Sequence, residues 1–256
     1  MSFKADSPVV ADVHPAANVE PRRGGAKPSL LILHYTGMSS AAKAIEWLAR
    51  PESKVSCHYV IDDVGRVTQM VKESQRAWHA GTSYWRGETD INSHSIGIEI
   101  QNLGHEHGYP DFSPVQMRAV IALSKDIMRR NRMRPENVLA HSDVAPGRKI
   151  DPGEKFSWAA LAQDGVGLWV RPSPVLAGDE GLGIGAEGGR VVAAKRALSA
   201  YGYDTAQGGE LDVKTSKVLR AFQLHFRPRR VDGRLDRSTE LTLRRLLVAA
   251  GRKEIT

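Results

Sequence analysis

Two histidines and one aspartate lie where the local sequence predicts rigidly held side chains. His34 ends the apolar run "SLLILHY" (29–35), His141 ends "ENVLAHS" (136–142), and Asp151 follows ten residues later. Two imidazoles and one carboxylate are a ligand set that binds zinc and leaves a fourth position for water. Zinc lowers the pKa of such a water to roughly 7 and polarises a bound carbonyl. The three residues are therefore compatible with a one-zinc hydrolase, although they do not name its substrate.

The segment that carries two of these residues, "HSDVAPGRKIDPG" (141–153), is rich in proline and glycine. Pro146 and Pro152 remove backbone donors, and the glycines relax the backbone, so we expect a stiff loop and no helix. A stiff loop of this kind would hold a metal-ligating side chain such as Asp151 in a defined position. The alternative is a surface turn in which Asp143 or Asp151 bonds its own backbone.

Two further side chains fit hydrolytic chemistry. Glu99 in "HSIGIEIQ" (94–101) alternates with Ile96, Ile98 and Ile100, so it faces away from the apolar side of a strand. There it could take a proton from an attacking water. Lys149 lies two residues before Asp151 and could donate to an oxyanion. The alternatives are a solvated strand face for Glu99 and a surface position for Lys149.

The other histidines and the cysteine carry weaker signals. His79 in "AWHAG", next to Trp78, suits the wall of a ligand groove, but core packing explains the same pair equally well. His58 follows Cys57 in a predicted strand and is expected to be structural, and "GHEHG" (104–108) is expected to be a mobile loop. A single cysteine excludes an internal disulfide framework.

The elements that must position these residues are strands mixed with helices. Strands are predicted at 29–35, 94–101 and 136–142, and a strand–turn–strand unit at 56–71. A helix is predicted from Ser113, which can cap it, with Pro114 in its first turn. The predicted fold class is α/β, a central mixed β-sheet flanked by helices, with a small C-terminal three-helix domain.

The chain divides at a segment rich in proline and glycine. We predict a polar N-terminal arm at 1–25, a catalytic domain at 26–170, a linker at 171–189 and a helical module at 190–256. The net charge is +7, and the module alone carries 15 basic and 7 acidic residues. A basic module favours an anionic partner, or else it is a solvated surface. It lacks the stacking aromatics and recognition motifs of nucleic-acid binding, so no nucleic-acid partner is expected.

No run of apolar residues is long enough to span a membrane, and 1–25 contains no export signal. These features predict a cytoplasmic protein. The alternative, if the N-terminus has been trimmed, is a periplasmic or outer-membrane-associated one.

Several ordered motifs resemble one enzyme family. "LILHYTG", "VSCHYVIDDVGRV", "RAWHAGTSYWRG", "NSHSIGIEIQN" and "HSDVAPGRKIDPG" resemble the zinc N-acetylmuramoyl-L-alanine amidases of the amidase-2 type, which share a fold with peptidoglycan recognition proteins. The motifs look most similar to the branch that includes AmiD and AmpD. "GYDTAQGGELDVKTSKVLRAFQ" and "VDGRLDRST" resemble a peptidoglycan-binding module of three helices.

The resemblance implies cleavage of the amide between N-acetylmuramic acid, or its 1,6-anhydro form, and L-alanine of the stem peptide, in cell-wall turnover or recycling. It implies one zinc ion on His34, His141 and Asp151, with Glu99 and Lys149 as the catalytic pair. It places four residues in substrate binding: Trp78, His79, Asn92 and Arg86. Peptidoglycan or muropeptides would be the partners, and we expect a monomer.

One departure from the family is Cys57, which occupies a position where some relatives carry tyrosine. A catalytic role for a tyrosine is therefore absent here, and the expected catalytic role falls to Glu99. The alternative function is a non-catalytic peptidoglycan-recognition protein on the same fold. Proteins of that kind lose a zinc ligand, whereas all three positions are filled here.

Overall fold

The computed structural model of the chain describes residues 3–252 and is built around a six-stranded mixed sheet. Its strand order is β1-β5-β4-β7-β3-β8; β2 and β6 form a separate antiparallel pair. The strands are β1 (Asp12–Val13), β2 (Val19–Pro21), β3 (Leu30–Tyr35), β4 (Tyr59–Ile61), β5 (Val67–Gln69), β6 (Gln75–Ala77), β7 (Ser95–Ile100) and β8 (Val138–Ala140).

Helices flank the sheet, and three more follow it, which confirms the predicted fold class. The helices are α1 (Ala41–Ala49), α2 (Ile91–His94), α3 (Pro114–Asn131), α4 (His141–Val144), α5 (Trp158–Gln163), α6 (Gly189–Tyr201), α7 (Val213–Phe226) and α8 (Arg237–Ala249). The predicted cap of α3 is present, since Ser113 Oγ accepts a hydrogen bond from Gln116 N at 3.2 Å.

The two faces of the sheet differ in chemistry. Leu31 and Leu33 of β3 pack with Ile96, Ile98 and Ile100 of β7 in a core that also buries the apolar side of α3. The parallel register of β3 and β7 pairs His34 with Glu99 at the opposite face. Because side chains alternate along a strand, this register brings both polar residues to one end of one face.

The expectation that the segment 141–153 contains no helix is wrong for its first four residues, which form α4. Pro146 lies beyond this single turn and so does not disrupt it. Asp143 Oδ2 accepts a hydrogen bond from Ala140 N at 2.8 Å, which stabilises the start of the turn. The residues after α4 form the expected loop.

The terminal and linking segments are held against the rest of the molecule. In the described part of the arm, β1 pairs with β5 and β2 with β6. The 171–189 segment has no helix before its last residue, but Leu182 forms an isolated bridge with Leu235 of the module.

The helices α6–α8 do not form a separate core. Ile32 of β3 and Leu139 of β8 belong to one continuous cluster of buried side chains with Leu198, Phe222 and other apolar residues of the module. The predicted module therefore packs directly against the sheet. Among residues 3–252, no helix combines the length and apolar character needed to cross a bilayer.

Candidate metal and catalytic site

Three of the predicted ligand atoms converge at one point. His34 Nδ1 lies 2.9 Å from His141 Nδ1 and 3.2 Å from Asp151 Oδ2, and His141 Nδ1 lies 3.0 Å from Asp151 Oδ2. Each residue is buried, at 1% exposed for His34, 3% for His141 and 6% for Asp151. They come from the end of β3, the start of α4 and the loop after it, so their meeting depends on the fold.

The hydrogen bonds behind His34 assign its tautomer. Ser95 Oγ donates to Ile91 O at 2.7 Å, so its oxygen is free to accept from His79 Nε2 at 3.1 Å. His79 Nδ1 then accepts from His34 Nε2 at 3.0 Å. In this network the proton of His34 sits on Nε2, and a lone pair on Nδ1 faces His141 and Asp151.

The hydrogen bond behind His141 has the same consequence. His141 Nε2 donates to Ala80 O at 3.2 Å, which leaves a lone pair on its Nδ1. Two lone pairs and a carboxylate oxygen then face each other with no proton among them. Such a set repels itself unless a cation lies between its members, and the N, N, O donors suit zinc. The residues present therefore fit the implied metal.

Burial and charge tune the ionisation of this set. Burial, with a smaller contribution from the neighbouring His141, lowers the pKa of His34 to about 4, so the imidazole is neutral near pH 7. Burial alone would raise the pKa of Asp151, but His141 and His34 outweigh it and hold that pKa well below its usual range. A neutral imidazole and an ionised carboxylate are the forms that bind a metal.

Glu99 is placed to act as a base beside the metal ligands. It lines a groove together with His141 and Asp151, and its Oε2 is buried without a hydrogen-bond partner among the described residues. Burial raises the pKa of Glu99 well above its usual value, Asp151 adds to the rise, and Lys149 opposes it. A carboxylate in this state accepts a proton more readily than an ordinary surface glutamate.

His141, Asp151, Glu99 and Lys149 line an open groove of about 550 Å³, and His34 is buried beneath it in contact with His141 and Asp151. The helix α1 and the segment around His105 both contribute residues to this groove. Its walls include Tyr35, Trp47, Leu48, Trp78, His79, His105, Glu106 and Ile150.

The four residues expected to bind substrate fall into two groups. Trp78 and His79 line the groove, although His79 is 8% exposed and its ring nitrogens are bonded to His34 and Ser95. Asn92 Oδ1 accepts hydrogen bonds from His79 N and Ala80 N and so shapes the groove from behind. Arg86 donates to Tyr201 O at 2.9 Å, at the contact with the module.

Sequence reasoning missed several residues of this site. Ser95 shares the strand face of Glu99, and the alternation that located Glu99 could have found it. Trp47 and His105 line the groove through tertiary packing, for which the sequence offers no spacing signal. Cys57 is fully buried, and its thiol donates to Tyr59 O.

Family models match both parts of the chain. Residues 24–154 match the N-acetylmuramoyl-L-alanine amidase family, and residues 187–243 match a peptidoglycan binding domain family. N-acetylmuramoyl-L-alanine amidase AmiD of Escherichia coli is 38% identical over 239 residues, which is 87% of this chain and 83% of that protein. The 1,6-anhydro-N-acetylmuramyl-L-alanine amidase AmpD of Haemophilus influenzae is 35% identical over 42% of this chain and 56% of its own length.

Solved structures agree with these matches. Escherichia coli AmiD, solved with the substrate anhydro-N-acetylmuramic acid-L-Ala-D-gamma-Glu-L-Lys, is 34% identical with a TM-score of 0.74 and covers 92% of this chain and 99% of its own. AmpDh3 of Pseudomonas aeruginosa is 32% identical with a TM-score of 0.74, covering 88% of this chain and 93% of its own. With the amidase model matching half of the chain and AmiD aligning over most of it, the chain belongs to the N-acetylmuramoyl-L-alanine amidase family.

Proposed function

We propose that the protein hydrolyses the amide bond between the lactyl group of N-acetylmuramic acid and L-alanine of the stem peptide, with one zinc ion bound by His34, His141 and Asp151. The convergence of three unprotonated ligand atoms within 3.2 Å of each other carries this proposal. When bound there, zinc would supply Lewis acidity to the scissile carbonyl and to water.

Glu99 acts as the base in this scheme. Its Oε2 is buried and has no hydrogen-bond partner within residues 3–252, and the side chain lines the groove with His141 and Asp151, where it accepts the proton of the water that attacks the carbonyl carbon. Lys149 donates a hydrogen bond to the carbonyl oxygen as negative charge develops on it. The protonated Glu99 then gives its proton to the amide nitrogen.

The bonds balance as a simple hydrolysis. A C–O bond forms from water, the C–N bond breaks, and the nitrogen leaves as the free amine of the L-alanyl peptide. The lactyl group of the sugar is left as a carboxylate. No other reactant is required.

The relatives support muropeptides as the substrate class. AmiD was solved with an anhydro-muramyl tripeptide and AmpDh3 with an anhydromuramic pentapeptide. We place the glycan and peptide of such a ligand along the groove between Trp47, Trp78 and His79, and we propose peptidoglycan as the partner of the basic module. Carboxylates of stem peptides complement its charge.

Metal removal tests the assignment directly. Protein treated with a chelator is expected to lose release of L-Ala-peptides from muropeptides, and stoichiometric Zn²⁺ is expected to restore it. Metal-free protein that still released peptides at the full rate would overturn the proposal. Binding of intact peptide without turnover by zinc-loaded protein would favour the recognition function instead.

Digestion of two substrates side by side defines the specificity. Anhydro-muropeptides and intact sacculi are incubated with the same zinc-loaded protein, and the products are read by mass spectrometry. Free L-Ala-peptides from either substrate support the proposed bond. Cleavage elsewhere in the peptide or glycan would refute it.

A further inference from the structure

Asp143 lies between two of the proposed ligands in sequence but is not itself a ligand. It is 1% exposed, in the single-turn helix that begins at His141. Its Oδ2 accepts a hydrogen bond from Ala140 N, the last residue of β8. This bond fixes the backbone turn from which the His141 side chain projects.

The other partners of Asp143 come from the C-terminal module. Tyr203 OH donates to Asp143 Oδ1 at 2.5 Å, and His225 Nδ1 donates to Oδ2 at 2.6 Å. Both side chains are 1% exposed. A carboxylate buried this deeply is costly unless donors satisfy it, and here two of its three donors belong to the module.

His225 is itself held by the N-terminal part of the chain. Its ring stacks on Trp158 with centroids 3.7 Å apart and planes inclined by 22°. Tyr203 packs edge-on against Trp85 at 5.0 Å. The orientation of both donors is therefore fixed by packing between the module and Trp85 and Trp158 of the N-terminal part of the chain.

The hydrogen bond from Ser142 N to the backbone carbonyl oxygen of Asp151, at 3.0 Å, extends this support to the third ligand. Farther along the loop, the stem of Lys217 from α7 lies where a side chain on Gly147 would be. Gly147 has φ of +76°, so glycine suits both the backbone and the contact. The loop from His141 to Asp151 thus has the groove on one side and α7 on the other.

We propose that Tyr203 and His225 of the module are positioning residues for the metal centre: by bonding Asp143 they hold His141, and through Ser142 they hold Asp151, in ligand geometry. The inference rests on the zinc site of the proposed function and goes beyond it. It makes the module a structural part of the hydrolytic site in addition to its role in binding peptidoglycan.

The hydroxyl of Tyr203 offers a minimal test in the 256-residue chain. Tyr203→Phe is expected to raise the zinc dissociation constant about tenfold, the scale at which outer partners of metal ligands act. It is also expected to shift the visible absorption bands of the Co²⁺-substituted protein. Zinc affinity is measured by competition with a chromophoric chelator.

Tyr201→Phe is the matched control. Tyr201 is 1% exposed in the same core, and its hydroxyl makes none of the side-chain hydrogen bonds found within residues 3–252. This variant is expected to keep the zinc affinity and the Co²⁺ spectrum of the wild type.

A pair of substitutions at His225 separates a specific hydrogen bond from general packing. His225→Asn keeps an N–H donor near the position of Nδ1 and is expected to retain most of the zinc affinity, whereas His225→Leu removes the donor and is expected to lose it. Thermal unfolding of the metal-free proteins checks that each variant folds. If His225→Leu does not fold, the result for Tyr203→Phe decides.

The outcomes distinguish this inference from the function on which it rests. Wild-type protein without zinc affinity would overturn the proposed function. Wild-type protein that binds zinc, with Tyr203→Phe indistinguishable from it in affinity and in Co²⁺ spectrum, would overturn the role of the module while leaving the hydrolase intact.

Discussion

At the scale of single residues, Glu99 separates catalysis from metal binding. It shares the groove with His141 and Asp151 but is not a member of the ligand cluster. Glu99→Gln keeps the size of the side chain and removes its basicity. We expect hydrolysis to fall by about 10²- to 10⁴-fold, the usual contribution of a general base, while zinc affinity stays unchanged.

Glu106→Gln is the control for this change, since Glu106 also lines the groove but is exposed. Rates are measured by release of L-Ala-peptide, and zinc binding by chelator competition. Equal losses of activity in the two variants would argue against a specific base at Glu99.

His58 makes stability depend on pH. It is fully buried, accepts a hydrogen bond from Gly97 N at 3.0 Å and donates to Gln75 O at 3.1 Å. Burial lowers its pKa to about 3, and Arg22 contributes to the decrease. The unfolded chain, with a pKa near 6.5, binds more protons than the folded one below that pH, so stability is complete above 6.5 and is lost as the pH falls towards 3.

The measurable consequence is a difference in how steeply the free energy of unfolding declines with falling pH. Between pH 7 and pH 5, His58 is expected to reduce the free energy of unfolding by about 2 kcal/mol. His58→Gln, which cannot titrate, is expected to show a shallower decline in chelator-treated urea titrations. Parallel declines for the two metal-free proteins would contradict the assignment.

The sequence located the candidate metal ligands and the candidate base better than the residues that bond to them. His34 and His141 follow apolar strand patterns, and Glu99 alternates with three isoleucines, so their meeting at one end of the sheet could be anticipated. Ser95 and Asp143 act through hydrogen bonds to other residues. Such partners are defined by distances across the fold, which sequence spacing does not contain.

At the scale of elements, β7 packs so closely against the ring of His79 that position 97 has no room for a side chain. A Cβ atom on Gly97 would lie 2.6 Å from Cγ and Nδ1 of His79, closer than real contacts allow. Gly97→Ala must therefore displace the ring whose Nδ1 accepts from His34. Backbone pairing of β7 needs no change, so the defect should be local.

We expect Gly97→Ala to weaken zinc binding at least tenfold, because it disturbs the partner of a ligand. Gly189→Ala is the control, since a Cβ there meets nothing within 4 Å. Chelator competition measures both variants. Wild-type affinity in Gly97→Ala would show that the His79 contact does not orient His34.

The elements that had a predicted range followed from local patterns, with one instructive exception, whereas β1, β2, β6, α1, α2 and α5 had no predicted range. Strands β3, β7 and β8 and the helices α3 and α6–α8 fall within or close to their predicted ranges. The exception, α4, is a single turn of four residues whose stabilising bond comes from its own Asp143. A turn this short has no periodicity, so proline and glycine dominate the pattern around it.

At the scale of the whole molecule, one hydrophobic core contains residues from both sides of the predicted linker at 171–189. Periodicity shows that a helix has an apolar face but not which surface covers it. The proline- and glycine-rich composition of 171–189 predicted a domain boundary there, and this boundary remains a prediction. The burial of Ile32 and Leu139 with α6–α8 shows that the two sides pack as neighbours.

This shared core predicts that the metal-free chain unfolds in one cooperative transition. Phe222 on α7 is fully buried in the shared cluster, and Phe222→Ala is expected to cost about 3–5 kcal/mol. Because Phe222 packs in a core that also holds β3 and β8, the loss should appear in the hydrogen exchange of amides at Ile32 and Leu139 as well as within the module.

Val248→Ala is the control, since Val248 is 60% exposed on α8, and it should change neither the unfolding free energy nor the hydrogen exchange. Loss of protection confined to α6–α8, or two separate unfolding transitions, would show that the module folds independently and that its contact with α4 is made only after both parts have folded.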